Sequence, residues 1–578
     1  MSHSPRDHRP RLGHRGRHRN RQGPRRRSQA RLPRDEERHY ARDARYAWPA
    51  PAFHALARRF IIDTKHVLII AAENGALPGG KVGGVGDVVR DLPAALVAHG
   101  WNATVLTPSY GAFHTLPGAT VLASVSAGFR GEQHDVQVFE ITVGSVRTVL
   151  FEHEILTPTN PGRVYHDDGA ARPYATDANK FAFFCAAAAS WIDALPVAPN
   201  AIHLHDWHAA YYLLQRGFTE RSERLQRIPT VFTIHNLSYQ GQRPLRGDES
   251  SLEAWFPDMD YDAEVVSDPS AEDCINPMAF AIRKADRINT VSPTYAQEIQ
   301  CPSNPDTGFI GGEGLEQDLV NAAEDGRLFG ILNGCDYSVN PGRRPGWQRM
   351  ISAARDTLAT WLDEEPDTAA HKLALERLAA LPKQRPLHVL TSIGRIVSQK
   401  IQLFLQPLGD GRSALEHILE NLGRRGVLLL LGSGEAEYEE RLTNIAADNS
   451  NFVFLRGYAE DFGNLMYQGG DLFLMPSSFE PCGISQMLAM RAGQPCVVHG
   501  VGGLHDTVES GVTGFVFAGK TREAQATAFV ERVEQALQLR HDHPNRWQTM
   551  QKFAAAQRFD WVTSARHYIE QLYDQHRD

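Results

Sequence analysis

The chain has 578 residues and a formal net charge of −8, which leaves room for about three to four domain-sized units with large cores. Its six cysteines, Cys185, Cys274, Cys301, Cys335, Cys482 and Cys496, form no C-x-x-C pair and lie in core-like sequence; this excludes a disulfide scaffold and points to a reduced, cytoplasmic protein. No apolar run reaches the roughly 18 residues that span a bilayer, so a soluble chain with no membrane partner is expected.

Residues 1–40 hold 13 Arg, no Lys and four acidic groups. This end therefore carries about +9 and the remainder about −17. Such a segment cannot bury enough apolar surface to offset its ordering entropy, and 1–60 is expected to be a disordered Arg-rich extension. A nucleic-acid-binding arm is the sharper alternative, since dense Arg neutralises phosphate. Aromatics are missing until Tyr40, so a nucleic-acid partner is not expected. Neither a secretory apolar region nor a Ser-rich transit sequence is present in it.

From residue 66 onward short apolar runs alternate with helix-period segments, the pattern of an α/β protein with parallel sheets. Strands are expected at 66–71, 103–107, 201–205, 230–235, 287–291 and 329–332, then at 388–392, 427–431, 452–455, 471–475 and 495–498. Residues 340–386 have no strand pattern and contain Pro341, Pro345, Pro366, Pro382 and Pro386 around helix-forming stretches. The fold class expected is α/β: two Rossmann-like doubly wound domains facing across a cleft, at 61–335 and 387–555, with an interdomain connection at 336–386.

The first glycine-rich turn, at 75–87, fits G-x-x-x-x-G-K up to Lys81. Val82 stands where a P-loop needs a hydroxyl for Mg²⁺, and Pro78 removes an amide from the cradle. The alternative is that Lys81 and the backbone of Gly83 and Gly84 face a phosphate or sugar, with Asp87 accepting a sugar hydroxyl. Further on, HDWH at 205–208 and Thr233-Ile234-His235-Asn236 follow two strand ends. Fixed donors and acceptors there suit a site that reads polyol hydroxyls. Zinc is the rival, with His205, Asp206, His208 and His235 as conceivable ligands, and Trp207 suggests packing beneath a sugar ring.

In the second half, Arg395 and Lys400 lie five residues apart beyond a strand end, where a planar fork and a point charge can flank a diphosphate. The stretch 480–504 adds a carboxylate at Glu480, a helix start at Ser485 whose free amides suit anionic oxygens, and a glycine turn where backbone can approach a ligand closely.

KVGGVGD at 81–87, HDWH at 205–208, TIHNLSYQG at 233–241, TVSPTYAQEI at 290–299, GILNGCDY at 330–337, GRIVSQK at 394–400, EPCGISQ at 480–486 and VGGLHDTV at 501–508 resemble the bacterial glycogen synthase and starch synthase family, retaining glucosyltransferases of the GT-B fold. The motifs fall in the family's order. The end of the chain, from Phe559, is similar to the family's last helix, so 556–578 is expected to cross back to the first domain. Departures are Val82 for Thr, Ser478 and Leu488 where Arg and Tyr are common, Gly500-Val501 for Arg-Thr, and the inserted loop at 77–80.

The resemblance implies glucose transfer from ADP-glucose or UDP-glucose to the non-reducing end of an α-1,4-glucan, with no cofactor and no metal. Glu480, Arg395, Lys400 and His235 are the implied catalytic residues. Lys81, Gly83, Gly84, Asp87, Asp206, Asn236, Cys482, Gly483, Gly502 and Gly503 are the implied substrate-binding ones. The parts come from both domains, so closure about a hinge near 333–345 is expected. Three rivals stay open: a phosphorylase with a pyridoxal phosphate Schiff base, a transferase with another acceptor, and a non-catalytic glucan-binding relative.

Overall fold

The run His66–Ile70, buried throughout, forms strand β1 near the middle of a nine-stranded sheet in the computed structural model of the protein. The structure describes residues 65–219, 222–338, 342–365 and 368–574. The Arg-rich extension expected at 1–60 lies outside them.

The strands that follow are β2 (Asn102–Pro108), β3 (Thr120–Phe129), β4 (Glu132–Val143), β5 (Val146–Glu152), β6 (Ala201–His205), β7 (Thr230–Ile234), β8 (Arg243–Pro244), β9 (Ser267–Asp268), β10 (Ala271–Ile275), β11 (Arg287–Thr290) and β12 (Leu328–Gly330). The large sheet runs β12-β11-β7-β6-β1-β2-β5-β4-β3, and β8-β10-β9 form a small separate sheet. Pairing is parallel from β12 to β5 and antiparallel across β5-β4-β3.

The antiparallel flank was not expected from the sequence. β3 and β4 bury alternate residues rather than continuous runs, as strands with one wet face do, so they lack the unbroken apolar stretch that marks a buried parallel strand. Arg130 and Gly131, both at positive φ of 55° and 76°, make the two-residue turn between them.

The second sheet is wholly parallel, with β13 (His388–Ile393), β14 (Gly426–Gly432), β15 (Phe452–Arg456), β16 (Leu472–Met475), β17 (Cys496–His499) and β18 (Gly514–Phe517) in the order β15-β14-β13-β16-β17-β18. β18 also went unforeseen, being only four residues long and following a glycine turn. The segment 336–386 is more than a connection. Its helices Trp347–Glu364 and Ala369–Ala380 lay Met350, Ile351, Leu358, Ala374 and Leu378 onto Val389, Val427 and Leu429, and so form a helical layer of the second domain.

The chain returns to the first domain at its end. Helix Trp561–Tyr568 and the π-turn Ile569–Tyr573 place Trp561, Tyr568, Leu572 and Tyr573 in one core with Val67, Ile69 and Leu92. The outgoing and returning segments are tied together, with the Cys335 amide donating to the Phe559 carbonyl at 2.6 Å. Among the described residues no helix is long and apolar enough to cross a membrane.

Candidate active site

In the second sheet β14 lies on one side of β13 and β16 on the other, so the connections leave in opposite directions and a crevice opens at the carboxyl ends of β13 and β16. The sequence puts its charges on these two exits. Arg395 and Lys400 leave β13, Lys400 on the helix Ser398–Leu405, and Glu480 lies on the loop after β16. Gln399 stitches the exits together: its Nε2 donates to the Phe479 carbonyl at 2.8 Å, and its own carbonyl accepts the Ser478 amide at 2.8 Å. Lys400 Nζ and Glu480 Oε2 then meet as an ion pair with side chains only 18% and 9% exposed. Arg395 is exposed and has no ion-pair partner among the described residues; with Ser392, Gly394, Lys400 and Ser477 it lines the hollow above the strand ends.

The glycine turn does a different task from the one expected. The Gly503 amide donates to the Glu480 carbonyl at 3.0 Å, and the Gly502 amide donates to Glu298 Oε1, on the first-domain helix Pro293–Glu298, at 2.9 Å. Neither amide is open to an outside diphosphate in this arrangement. A Cβ would fall 2.0 Å from the Glu480 carbonyl oxygen at Gly502, whose φ is 42°, and 2.2 Å from the Cys482 carbonyl oxygen at Gly503. Both glycines thus let two loops touch. Cys482 is buried, with Sγ donating to the Gly483 carbonyl and its own carbonyl accepting from Gln486 Nε2 at 3.2 Å; Gly483 holds a positive φ of 76°. Cys482 and Gly483 shape the loop that carries Glu480.

In the first sheet β6 and β2 flank β1, and the matching crevice is lined by the exits of β1, β6 and β7. The glycine loop after β1 is occupied by its own chain. Glu73 Oε2 accepts the amides of Val82 at 2.8 Å, Gly83 at 2.7 Å and Gly86 at 3.2 Å, and Oε1 accepts Tyr165 Oη at 3.0 Å. A carboxylate therefore takes the anion-suited start of the helix Gly84–Ala98, and the Gly83 amide is not available to a ligand as expected. Gly84 opens that helix. Lys81 Nζ pairs with Asp87 Oδ2 at 2.8 Å, and Asp87 also holds Arg90 at 3.0 Å. Sequence reasoning missed Glu73, although a carboxylate between a buried strand and a glycine-rich helix start is a legible signal for such a cap.

At the exits of β6 and β7, Asp206 sits in the left-handed region at φ 55° and accepts the His235 amide at 2.7 Å. Burial pushes its carboxyl up to about 7, partly offset by the His235 and Asn236 amides. His235 Nε2 lies 2.8 Å from His205 Nδ1. The rings of His203, His205 and His235 lie in a row, with centroids 4.2 and 5.1 Å apart, the first pair tilted and the second stacked. Burial holds all three imidazoles well below their usual range, His203 and His235 to about 3. Asn236 Oδ1 accepts the Ser238 amide at 3.0 Å, which fixes the turn. Trp207 is no sugar platform: it is 2% exposed and packs among Tyr174, Phe181, His208 and Tyr211. Among the described residues no three His, Cys, Asp or Glu converge as metal ligands.

Three residues inside the motif at 290–299 join the domains. Ser292 Oγ donates to the Pro481 carbonyl at 2.7 Å, Thr294 bonds Asp506 through Oγ1 at 2.6 Å and its amide at 2.9 Å, and Glu298 takes the Gly502 amide. None of the three has a role that the motif alone announces. Their contacts bring the carboxyl end of β11 against the Glu480 loop. Among the described residues no hydrogen bond or ion pair links Lys81, Asp206, His235 or Asn236 directly to Arg395, Lys400 or Glu480. One further residue went unnoticed: Tyr458, 73% exposed, on the loop leaving β15.

Two Rossmann-like domains, each with polar residues at its strand-order reversal, have the GT-B architecture, and the family matches make the chain a glycosyltransferase of that class. Residues 66–321 match the starch synthase catalytic domain family and residues 382–552 the group 1 glycosyl transferases. Glycogen synthases of Streptococcus equi subsp. equi and Anaeromyxobacter sp. are 33% and 34% identical to the chain, over 87% and 88% of it and 98% of their own lengths. The catalytic domain of starch synthase IV from Arabidopsis thaliana, bound to ADP and acarbose, matches with a TM-score of 0.67 and 25% identity over 88% of this chain and 99% of that one. Sucrose-phosphate synthase of Thermosynechococcus elongatus shares the fold, with a TM-score of 0.50 and 17% identity over 88% of this chain and 98% of its own. The chain belongs to the glycogen synthase and starch synthase family, and it is a glucosyltransferase of that kind.

Proposed function

We propose that the protein moves glucose, with retention of anomeric configuration, from ADP-glucose or UDP-glucose to the 4-hydroxyl at the non-reducing end of an α-1,4-glucan. The observation that carries this reading is the Lys400–Glu480 pair beside Arg395, which has no ion-pair partner among the described residues, at the strand-order reversal. A diphosphate entering there gives Lys400 a doubly charged partner and releases Glu480 to accept donor sugar hydroxyls. Arg395 and Lys400 offset the charge that builds on the leaving diphosphate, and the Glu480 carboxylate helps stabilise an oxocarbenium-like state.

From the first domain, His235 reads the sugar, held by Asp206 on its amide and by Asn236 in the adjoining turn. Lys81 and Asp87 complete the cleft, with Gly83 and Gly84 supporting them, while Cys482, Gly483, Gly502 and Gly503 set the wall behind Glu480. Tyr458 offers a flat aromatic face for the nucleobase. The starch synthase relative bound to ADP favours ADP-glucose as the donor. The cytoplasmic setting proposed with it rests on the unpaired cysteines.

Incubation with glycogen and each sugar nucleotide in EDTA, following nucleotide diphosphate release and chain growth together, tests the reading. Coupled release and growth with one donor supports it. Release without growth points to another acceptor, and binding of glycogen without release points to a non-catalytic relative; either overturns the proposal.

A further inference from the structure

His205 and His235 leave neighbouring parallel strands, β6 and β7, in a register that sets His205 opposite Thr233. His205 is 1% exposed and makes one side-chain contact of hydrogen-bonding length, Nδ1 to His235 Nε2 at 2.8 Å. Its other nitrogen, Nε2, is buried and has no partner among the described residues. The neighbouring ring cannot supply one, because His203 is committed on both sides, to Tyr573 Oη at 2.7 Å and to Thr233 Oγ1 at 2.6 Å.

A neutral imidazole has one N–H to place. On Nε2 it would be a buried donor without an acceptor, an arrangement folded proteins almost never leave; a bare lone pair in that position is the lesser penalty. The proton therefore belongs on His205 Nδ1, where it donates to His235 Nε2. His235 Nε2 must then be unprotonated, which puts the His235 proton on Nδ1. That atom has no hydrogen-bond partner among the described residues and is not one of the enclosed unpaired atoms. It is the nitrogen left accessible on this half-buried residue.

We propose that His205 is a positioning residue that locks His235 in the Nδ1–H tautomer, so that His235 presents a neutral donor, and not a lone pair or a cation, to an oxygen of the donor sugar. The oxygen's identity rests on the function proposed above; the tautomer does not. Desolvation acts in the same direction, since both imidazoles are held neutral at working pH.

Two substitutions separate orientation from packing. His205→Asn keeps an N–H donor at the Nδ1 position, whereas His205→Leu fills the space with none. Two-bond proton–nitrogen spectra of protein labelled at histidine nitrogen, with the His235 signals identified by their loss in His235→Gln, read the tautomer without turnover. The expected result is a protonated Nδ1 and bare Nε2 on His235 in the unsubstituted protein. In His205→Leu that preference should be lost, with kcat/KM for glucosyl transfer down about 10- to 100-fold, by analogy with the partners that orient metal-holding histidines. His205→Asn should recover most of the loss. A proton on His235 Nε2 in the unsubstituted protein overturns the proposal, as does a folded His205→Leu enzyme with unchanged kcat/KM. If His205→Leu does not fold, the unsubstituted spectrum decides. If the tautomer is as stated and no sugar nucleotide is turned over, the assigned reaction fails and the role of His205 stands.

Discussion

Lys400 and Glu480 hold opposite charges in a partly dry crevice, and each is the other's main compensation. Removing one leaves a poorly hydrated charge behind, so Lys400→Ala and Glu480→Ala should each lower stability, by about 1–3 kcal/mol once partial exposure is allowed for. Each should also lower kcat about 10²-fold or more, because both groups act on charge that develops in the transition state. The double variant distinguishes the two effects. Denaturant melts should find its stability largely recovered, while its turnover stays at the level of the single variants; recovered turnover would remove both residues from the chemistry. The row of histidines gives a pH signature. With folded pKa values well below the ordinary 6.5, His203, His205 and His235 stay neutral in the native state and bind protons only when unfolded. Their contribution is present above the unfolded pKa and is lost as pH falls from 6.5 toward 3, at about 1.4 kcal/mol per pH unit for each. Asp206, raised to about 7, opposes this between its ordinary 3.8 and 7. Glu298, also raised to about 7, opposes likewise, while His66 and His388, lowered to about 4, and His208, held well below its usual range, act with the three. The histidines outweigh the two carboxyls, so stability measured by urea titration should fall from pH 6.5 to 4.5, and a flat profile there would contradict the buried neutral imidazoles.

At the level of elements, the loop pair 480–483 and 500–504 is held by backbone contact, which makes a simple prediction. Gly503→Ala places a methyl group 2.2 Å from the Cys482 carbonyl oxygen, and since that neighbour is backbone it must move. The variant should lose about 1–3 kcal/mol by thermal or chemical melting and displace Glu480, whose carbonyl the Gly503 amide holds; wild-type stability and kcat together would show that the two loops are not so coupled. The same loops show what could be read in advance. Arg395, Lys400 and Glu480 were legible because a continuous apolar strand ends just before each exit and the charge is local to it. The partners of the glycines were not: Glu298 reaches Gly502 across 204 positions, and nothing in either motif announces the other. Glu73 is an intermediate case, a local cap hidden because the glycine turn alone suggested an outside anion. β3 and β4 escaped for a different reason, since one face of each strand is wet and its buried residues alternate, whereas β5, with Val149, Leu150 and Phe151 buried in a row, carried the signal and was overlooked.

For the molecule as a whole, the return of the chain joins the first domain's core to the end of the second. Trp561, Tyr568, Leu572 and Tyr573 are nearly fully buried beneath β1 and the helix Gly84–Ala98, and each contributes about 1.5–3 kcal/mol of burial. Their sum rivals the total stability of a typical domain. Ending the chain at residue 558 should therefore unfold the first domain while the second sheet persists, seen as loss of the first-domain fraction of protected amides in hydrogen exchange; unchanged protection of β1 and β6 would contradict this. The cross-domain bonds from Ser292, Thr294 and Glu298 place both sites on one seam, and the account stands on their acting together in a single retaining transfer. The most direct test follows the proton NMR spectrum of the sugars during reaction with maltotetraose and ADP-glucose. The account predicts that each ADP released is matched by one new internal α-1,4 linkage at the non-reducing end, with no free glucose. A β-linked product, or ADP appearing together with free glucose in place of a longer chain, would contradict it.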